Sequence, residues 1–312
     1  MIKKNYIPTI NISSILDNKF STNESIKTIK LIEDACLKVG FFQVISHGID
    51  IREIKKICKI GNNFFSSKIE NKLKLAPRMW NKSNKNVYRG YFPSDVNGKE
   101  GLDIADLKIT RKFSHKIRNQ YIEYLDLKKS FNSNSIKKIS NYFDNIFILS
   151  ETLFKCIIKL YDNDPNLSKK VFSRLKTLST LRFNYYPKQN KPVEISKQDG
   201  VALGCETHVD SGIFTILYQD KKGGLQVQNR KSKKWYDVPY NKNALIINTG
   251  RALEYLSKGK FKATNHRVLW NKQKRMSVPF FFEPSYDFKM NKSFLTSLKY
   301  KEIGPSYESF LN

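Results

Sequence analysis

Thr207-His208-Val209-Asp210-Ser211 sets an imidazole and a carboxylate two residues apart, and Asn265-His266-Arg267-Val268 supplies a second imidazole far downstream. Two imidazoles and one carboxylate suit a non-haem Fe(II) centre that must keep coordination positions open for a co-substrate and dioxygen. Side chains alternate along a strand, so the spacing of His208 and Asp210 is expected to turn both to one face of a β-strand. The interval before His266 is long enough for intervening strands to bring it alongside. Arg275-Met276-Ser277-Val278-Pro279-Phe280-Phe281-Phe282 repeats the pattern, with Arg275 and Ser277 on one face and Met276, Val278 and Phe280 on the other. A guanidinium grips a carboxylate through two parallel hydrogen bonds. The first face is therefore expected to hold a carboxylic acid near the metal.

Taken singly, these features are ordinary: a His-x-Asp can be a surface pair, and most arginines are exposed. Their combination points to iron. His47 sits in a turn before a helix and reads as structural, while His115, among Arg111, Lys112, Lys116 and Arg118, reads as solvated.

The elements that must position these groups fall into two textures. Ile7 to Ile12 alternates like a short strand, and Ser21-Thr22-Asn23-Glu24 has the form of a capping box. Ile26, Ile29, Ile32, Ala35, Cys36 and Val39 then mark the buried stripe of a helix ended by Gly40. Phe41 to Ile45 is a strand, and a helix with Ile51, Ile54, Ile57 and Cys58 inward follows the turn at His47-Gly48. Residues 66–130 are polar, with weak periodicity, and suggest loops that cover a site. From Ser135 to about Tyr161 a long helix buries Ile139, Phe143, Ile146, Leu153 and Ile157. After Asp164-Pro165 short strands recur at Thr177–Pro187, Gly212–Tyr218, Leu225–Gln228, Trp235–Val238, Ala244–Asn248 and Arg275–Phe282. Such closely spaced short strands imply a double-sheet jelly roll.

At 312 residues and 40% hydrophobic content the chain can bury a large core. Cys36, Cys58, Cys156 and Cys205 lack Cys-x-x-Cys spacing, which suggests reduced thiols rather than a zinc site or a disulfide framework. Residues 1–8 lead into no apolar signal-like run, and no 18-residue stretch is free of charge, so a soluble, cytoplasmic protein is expected. The net charge of +28, from 56 basic and 28 acidic residues, raises a nucleic-acid partner. Lysines sprinkled through every segment argue against one; the milder expectation is attraction of anionic small molecules.

In chain order, Gly40-Phe41-Phe42-Gln43-Val44, His47-Gly48-Ile49, Tyr88-Arg89-Gly90-Tyr91, Asn184-Tyr185-Tyr186-Pro187, His208-Val209-Asp210, Gly224-Leu225-Gln226-Val227, Trp235, Val238-Pro239, Asn248-Thr249-Gly250, His266-Arg267-Val268 and Arg275-Met276-Ser277 resemble the isopenicillin-N-synthase-like branch of the 2-oxoglutarate/Fe(II)-dependent dioxygenases. The resemblance spans nearly the whole chain. It implies a mainly β fold with flanking helices: a double-stranded β-helix (jelly-roll) core with a helical N-terminal region packed on it. The expected division is an N-terminal region over 1–125, a bridging helix within 126–176, the jelly-roll core over 177–286 and a C-terminal tail over 287–312.

By the same resemblance His208, Asp210 and His266 would hold Fe(II), and Arg275 and Ser277 the distal carboxylate of 2-oxoglutarate, with Tyr186 and Asn184 assisting. The implied activity is oxidation of a small organic molecule by dioxygen, with the oxoacid converted to succinate and CO2. Neighbouring readings are a same-fold Fe(II) oxidase that uses no 2-oxoglutarate, an ethylene- and succinate-forming enzyme and, more remotely, a nucleic-acid-directed demethylase or binding protein. Two segments depart from the pattern. Arg251 follows Asn-Thr-Gly where relatives carry an acidic residue, and Ile117 to Tyr121 matches only loosely.

Overall fold

The alternation in Arg275–Phe282 gives the longest strand of the molecule, and its two faces serve two different interiors. The computed structural model describes residues 6–17, 19–94, 98–108, 125–161, 165–188, 191–291, 295 and 304–311; His115 and the segment 117–121 lie outside them. The strands are β1 (Thr9–Asn11), β2 (Phe41–Ile45), β3 (Gly90–Phe92), β4 (Glu100–Ile104), β5 (Thr180–Tyr186), β6 (Glu194–Ile195), β7 (Ala202–His208), β8 (Phe214–Gln219), β9 (Leu225–Gln228), β10 (Trp235–Asp237), β11 (Leu245–Thr249), β12 (His266–Leu269) and β13 (Arg275–Phe282). The helices are α1 (Asn23–Lys38), α2 (Ile51–Phe65), α3 (Ile69–Leu73), α4 (Ser133–Lys159), α5 (Ser168–Val171), α6 (Arg251–Leu256) and α7 (Tyr307–Leu311).

Eight strands form a major sheet in the order β1-β2-β11-β8-β13-β5-β4-β3, and five form a minor sheet, β10-β9-β12-β7-β6. This is the jelly-roll core expected from the sequence. On the outer face of the major sheet, Met276, Val278, Phe280 and Phe282 join the larger apolar cluster. There the rings of Phe143 and Phe147 on α4 meet Phe280 and Phe282 edge-on at 5.1 and 5.3 Å. A smaller cluster, including Phe41, Leu217, Leu225, Val227, Ile246 and Val268, fills the space between the sheets.

The N-terminal region does more than pack on this core. β2 pairs with β11, and β4 with β5, so it supplies strands at both edges of the major sheet. The expectation of loops over residues 66–130 is corrected here, because that stretch contains α3, β3 and the wholly buried β4. Part of its polar appearance comes from charges that are paired inside. Glu100 accepts from Lys72 at 2.6 Å and from the Tyr91 hydroxyl at 2.5 Å, and Asp103 takes both arms of the Arg182 guanidinium.

The start of α1 shifts by one residue from the expected capping box. Thr22, with extended backbone, accepts from the Ser25 amide at 3.1 Å. Ser25 and Thr28 consequently turn inward beside Ile29, Ile32 and Cys36, while Ile26, expected inside, is 47% exposed. Beyond residue 286, Phe288, Met290, Leu295 and Tyr307 are buried in the larger cluster. Among the described residues no helix is long and apolar enough to cross a membrane.

Candidate metal centre

β7 and β12 run antiparallel with His208 and His266 as direct register partners, which sets their ring centroids 4.2 Å apart. Asp210 reaches the same place by a different route from the one the spacing suggests. β7 ends at His208, and Asp210 lies in the turn that leads into β8. That turn is fixed by α6, whose Arg251 amide donates to the Asp210 carbonyl at 2.9 Å and whose preceding Gly250 amide donates to Ile213 at 3.0 Å. A Cβ on Gly250 would lie 2.2 Å from the Gly212 carbonyl oxygen, so glycine is what permits this approach.

The Asp210 carboxylate is divided between two tasks. Its Oδ2 accepts from the Thr215 hydroxyl at 2.5 Å and from the Asn248 amide at 2.7 Å. Its Oδ1 stands 3.7 Å from the Nε2 of both His208 and His266. Those separations are too long for hydrogen bonds, and all three atoms lie within 4.8 Å of one another. Each histidine turns its Nδ1 to a backbone carbonyl, His208 to Glu206 at 2.8 Å and His266 to Thr264 at 3.2 Å. A carbonyl only accepts, so Nδ1 carries a proton in both rings, and in the neutral ring the Nε2 lone pair is left to face Oδ1. That is the tautomer and orientation a metal-binding imidazole needs.

The electrostatics agree with a site made for a cation. Burial pushes the Asp210 carboxyl up, but His266, the Thr215 hydroxyl, His208 and the Asn248 amide together hold it below the usual carboxylate range. Burial holds His266 below the usual histidine range despite the opposing pull of Asp210. His208 is also lowered by burial, but Cys205 and Asp210 outweigh that and bring it to about 8.

The β13–β5 register sets Arg275 opposite Tyr186 and Ser277 opposite Asn184. All four share one cavity of about 70 Å³ with His208, Asp210 and His266. The Arg275 guanidinium is 2% exposed, donates from Nε to the Gly223 carbonyl at 2.7 Å and from Nη1 to the Ser277 hydroxyl at 3.3 Å, and lies 4.6 Å over the Tyr186 ring. Among the described residues no carboxylate pairs with it. A buried cation in that state is expensive unless an anion joins it. The Asn184 Oδ1 is likewise buried without a partner. These residues therefore fit an iron ion at one end of the cavity and a dicarboxylate reaching Arg275 at the other. Tyr186 differs in emphasis from the expectation, since its visible contact is the ring beneath Arg275.

Several residues of the site escape sequence reasoning. Thr215 and Asn248 orient Asp210; Asn248 stood in the motif Asn248-Thr249-Gly250, whereas nothing near Thr215 marks it. Lys99, Arg182 and Cys205 also line the cavity, and no local pattern distinguishes them. The departure at Arg251 is accommodated simply: its side chain is exposed, and the turn uses only its amide. Arg267 points away from the site, bidentate to Asp199 and 4.0 Å over the Trp235 ring. His47 is buried, and its Nδ1 accepts from the Ile49 amide.

Comparison with known proteins gives a consistent answer. Residues 177–284 match the family model described as 2OG-Fe(II) oxygenase superfamily, and residues 7–136 match the one described as non-haem dioxygenase in morphine synthesis N-terminal. The chain is 31% identical to a flavonol synthase/flavanone 3-hydroxylase of Eustoma exaltatum subsp. russellianum, over 86% of this chain and 76% of that one. It is 26% identical to the isopenicillin N synthase of Streptomyces griseus, over 96% and 91%. Among solved structures, a full-length Neurospora crassa protein in complex with alpha-KG and 5-formyluracil superposes with a TM-score of 0.76 at 21% identity, covering 99% of this chain and 95% of that one.

Proposed function

Given that this chain belongs to the 2OG-Fe(II) oxygenase superfamily and is thus an Fe(II)/2-oxoglutarate-dependent dioxygenase, we propose that it oxidises a small organic molecule, with conversion of 2-oxoglutarate to succinate and CO2. In this reading His208, Asp210 and His266 hold the iron. Arg275 and Ser277 bind the distal carboxylate of 2-oxoglutarate, Tyr186 supports the guanidinium, and Asn184 offers its amide to the bound oxoacid. The observation that carries the reading is the buried Arg275, with no carboxylate partner among the described residues, in the same cavity as three convergent ligand atoms.

The bound iron would supply dioxygen activation and the two-electron oxidation of a substrate C–H bond coupled to oxoacid decarboxylation. The chain's own part is positional. Thr215 and Asn248 hold Asp210 so that one oxygen remains free for the metal. The Glu206 and Thr264 carbonyls keep both imidazoles in the ligating tautomer. Arg275 and Ser277 fix the co-substrate's far end, and the apolar side chains of Leu217, Leu225 and Val268 narrow the cavity and exclude water from it.

The test is anaerobic addition of Fe(II) and then 2-oxoglutarate, followed optically, together with succinate measured against oxygen uptake. Metal-to-ligand charge-transfer absorption should appear with wild type and vanish in Arg275→Ala. Two lost charge-assisted hydrogen bonds should weaken the oxoacid by roughly 100-fold or more. Oxygen uptake without succinate would sink the proposal.

A further inference from the structure

A second cavity of about 210 Å³ opens beside the metal cavity and shares Lys99, Arg182 and Asn184 with it. Its volume lies under the roughly 300–1,000 Å³ of drug-sized pockets, so it suits a small occupant. Trp80 and Phe92, in edge contact at 5.7 Å, give it an aromatic wall, and Gly101 lines it without a side chain.

The cations around this space are not equivalent. Arg182 is neutralised by Asp103, which takes its Nε and Nη2 at 2.5 and 2.6 Å. Arg275 stands at the far end of the metal cavity, assigned above to 2-oxoglutarate. Lys99 has no such partner. Its Nζ contacts the Cys205 sulfur at 2.8 Å and lies 5.9 Å from the Tyr186 ring, and among the described residues no carboxylate comes within ion-pair distance of it. Cys205 and Tyr186 favour the charged form of Lys99 against its burial, but a thiol is a weak acceptor, so a carboxylate able to form a charge-assisted hydrogen bond would take the ammonium in preference to sulfur. One ammonium with no carboxylate partner among the described residues matches a monocarboxylate better than a phosphate dianion.

Resting on the assignment of iron and 2-oxoglutarate to the neighbouring cavity, we propose that this second cavity binds the oxidised substrate, a small monocarboxylate with a flat apolar body. Lys99 takes the carboxylate, and Trp80 and Phe92 take the body. Lys99 is thereby the specificity-determining residue, choosing acids over their neutral counterparts.

The experiment uses the whole protein loaded with Mn(II) and 2-oxoglutarate without oxygen. Benzoate, phenylacetate and 3-phenylpropionate are each compared with the corresponding primary amide by titration calorimetry. At least one acid should bind saturably and roughly ten- to a hundredfold tighter than its amide, the difference expected for a hydrogen-bonded charge. Lys99→Met should erase that preference and Lys99→Arg should restore part of it, whatever either change does to 2-oxoglutarate, whose cavity Lys99 also lines. Absence of binding by all three acids, equal binding of acids and amides, or a Lys99→Met defect confined to 2-oxoglutarate would each overturn the proposal. Failure of the parent assignment is read separately, as 2-oxoglutarate binding that survives Arg275→Ala.

Discussion

His208 and His266 face each other across the β7–β12 ladder with their rings 4.2 Å apart, and both direct Nε2 at the same oxygen of Asp210. Neither Nε2 comes within hydrogen-bond distance of that oxygen. A shared divalent cation would turn this three-way approach into coordination, displacing the proton that His208, raised to about 8, otherwise holds at neutral pH.

Asn248→Ala removes one of the two donors that hold Oδ2 of Asp210 and frees the carboxylate to rotate. Loss of such an outer partner typically weakens metal binding ten- to a hundredfold. Anaerobic Fe(II) titration should show a rise in Kd of about that size, and an unchanged Kd would mean that the Thr215 hydroxyl and the backbone suffice to orient Asp210.

Ser277→Ala and Arg275→Lys separate the two contacts proposed to hold the co-substrate. The serine variant loses a single hydrogen bond of about 1 kcal/mol, so KM for 2-oxoglutarate should rise roughly fivefold while kcat holds. The lysine variant keeps the charge but loses the planar fork, and its KM should rise at least tenfold. Equal effects would argue against a bidentate grip.

Gly250→Ala drives a methyl group into the Gly212 carbonyl at 2.2 Å, backbone against backbone. Overpacking of this kind costs about 1–3 kcal/mol, and here the strain falls on the turn that carries Asp210. Thermal unfolding should drop by several degrees, and added metal should stabilise this variant less than it stabilises wild type.

Glu283 is buried between Ser211, which donates to Oε1 at 3.0 Å, and the Tyr307 hydroxyl, which donates to Oε2. Burial, opposed by the Ser211 hydrogen bond and reinforced by the Asp210 charge, pushes its carboxyl up to about 7. The folded state therefore holds a proton that the unfolded chain has already released. Below the ordinary carboxylate range there is no difference between the two states. Stability then declines as pH rises through that range, until the folded group has also ionised above about 7. Glu283→Gln should match wild type near pH 5 and exceed its melting temperature near pH 8. A parallel pH dependence in both proteins would show that Glu283 stays ionised throughout.

The strands of the catalytic half were legible because their period-two pattern and the ordered motifs pointed to the same elements; β2, β9 and β13 span the expected residues. Asp210 was legible as a candidate ligand but not as a turn residue, since its backbone is set by α6 far along the chain. β4 was hidden because Glu100 and Asp103 read as solvated until Lys72 and Arg182 are seen to pair with them inside. Lys99 had no signal for a related reason. In a chain with 56 basic residues, one more lysine means nothing until its surroundings, with no carboxylate partner among the described residues, can be observed.

The closure of β2 against β11 reaches across the chain: the Thr249 amide donates to the Gly40 carbonyl, and its hydroxyl contacts the same oxygen, 209 positions apart. During synthesis β2 therefore emerges long before its neighbour exists and waits with one edge bare. Contacts of such separation slow folding and leave a nascent chain prone to sticking. Yield from the ribosome should thus depend on chaperone supply and growth temperature more than on iron, because the strands that carry the histidines arrive only when most of the chain has already been made.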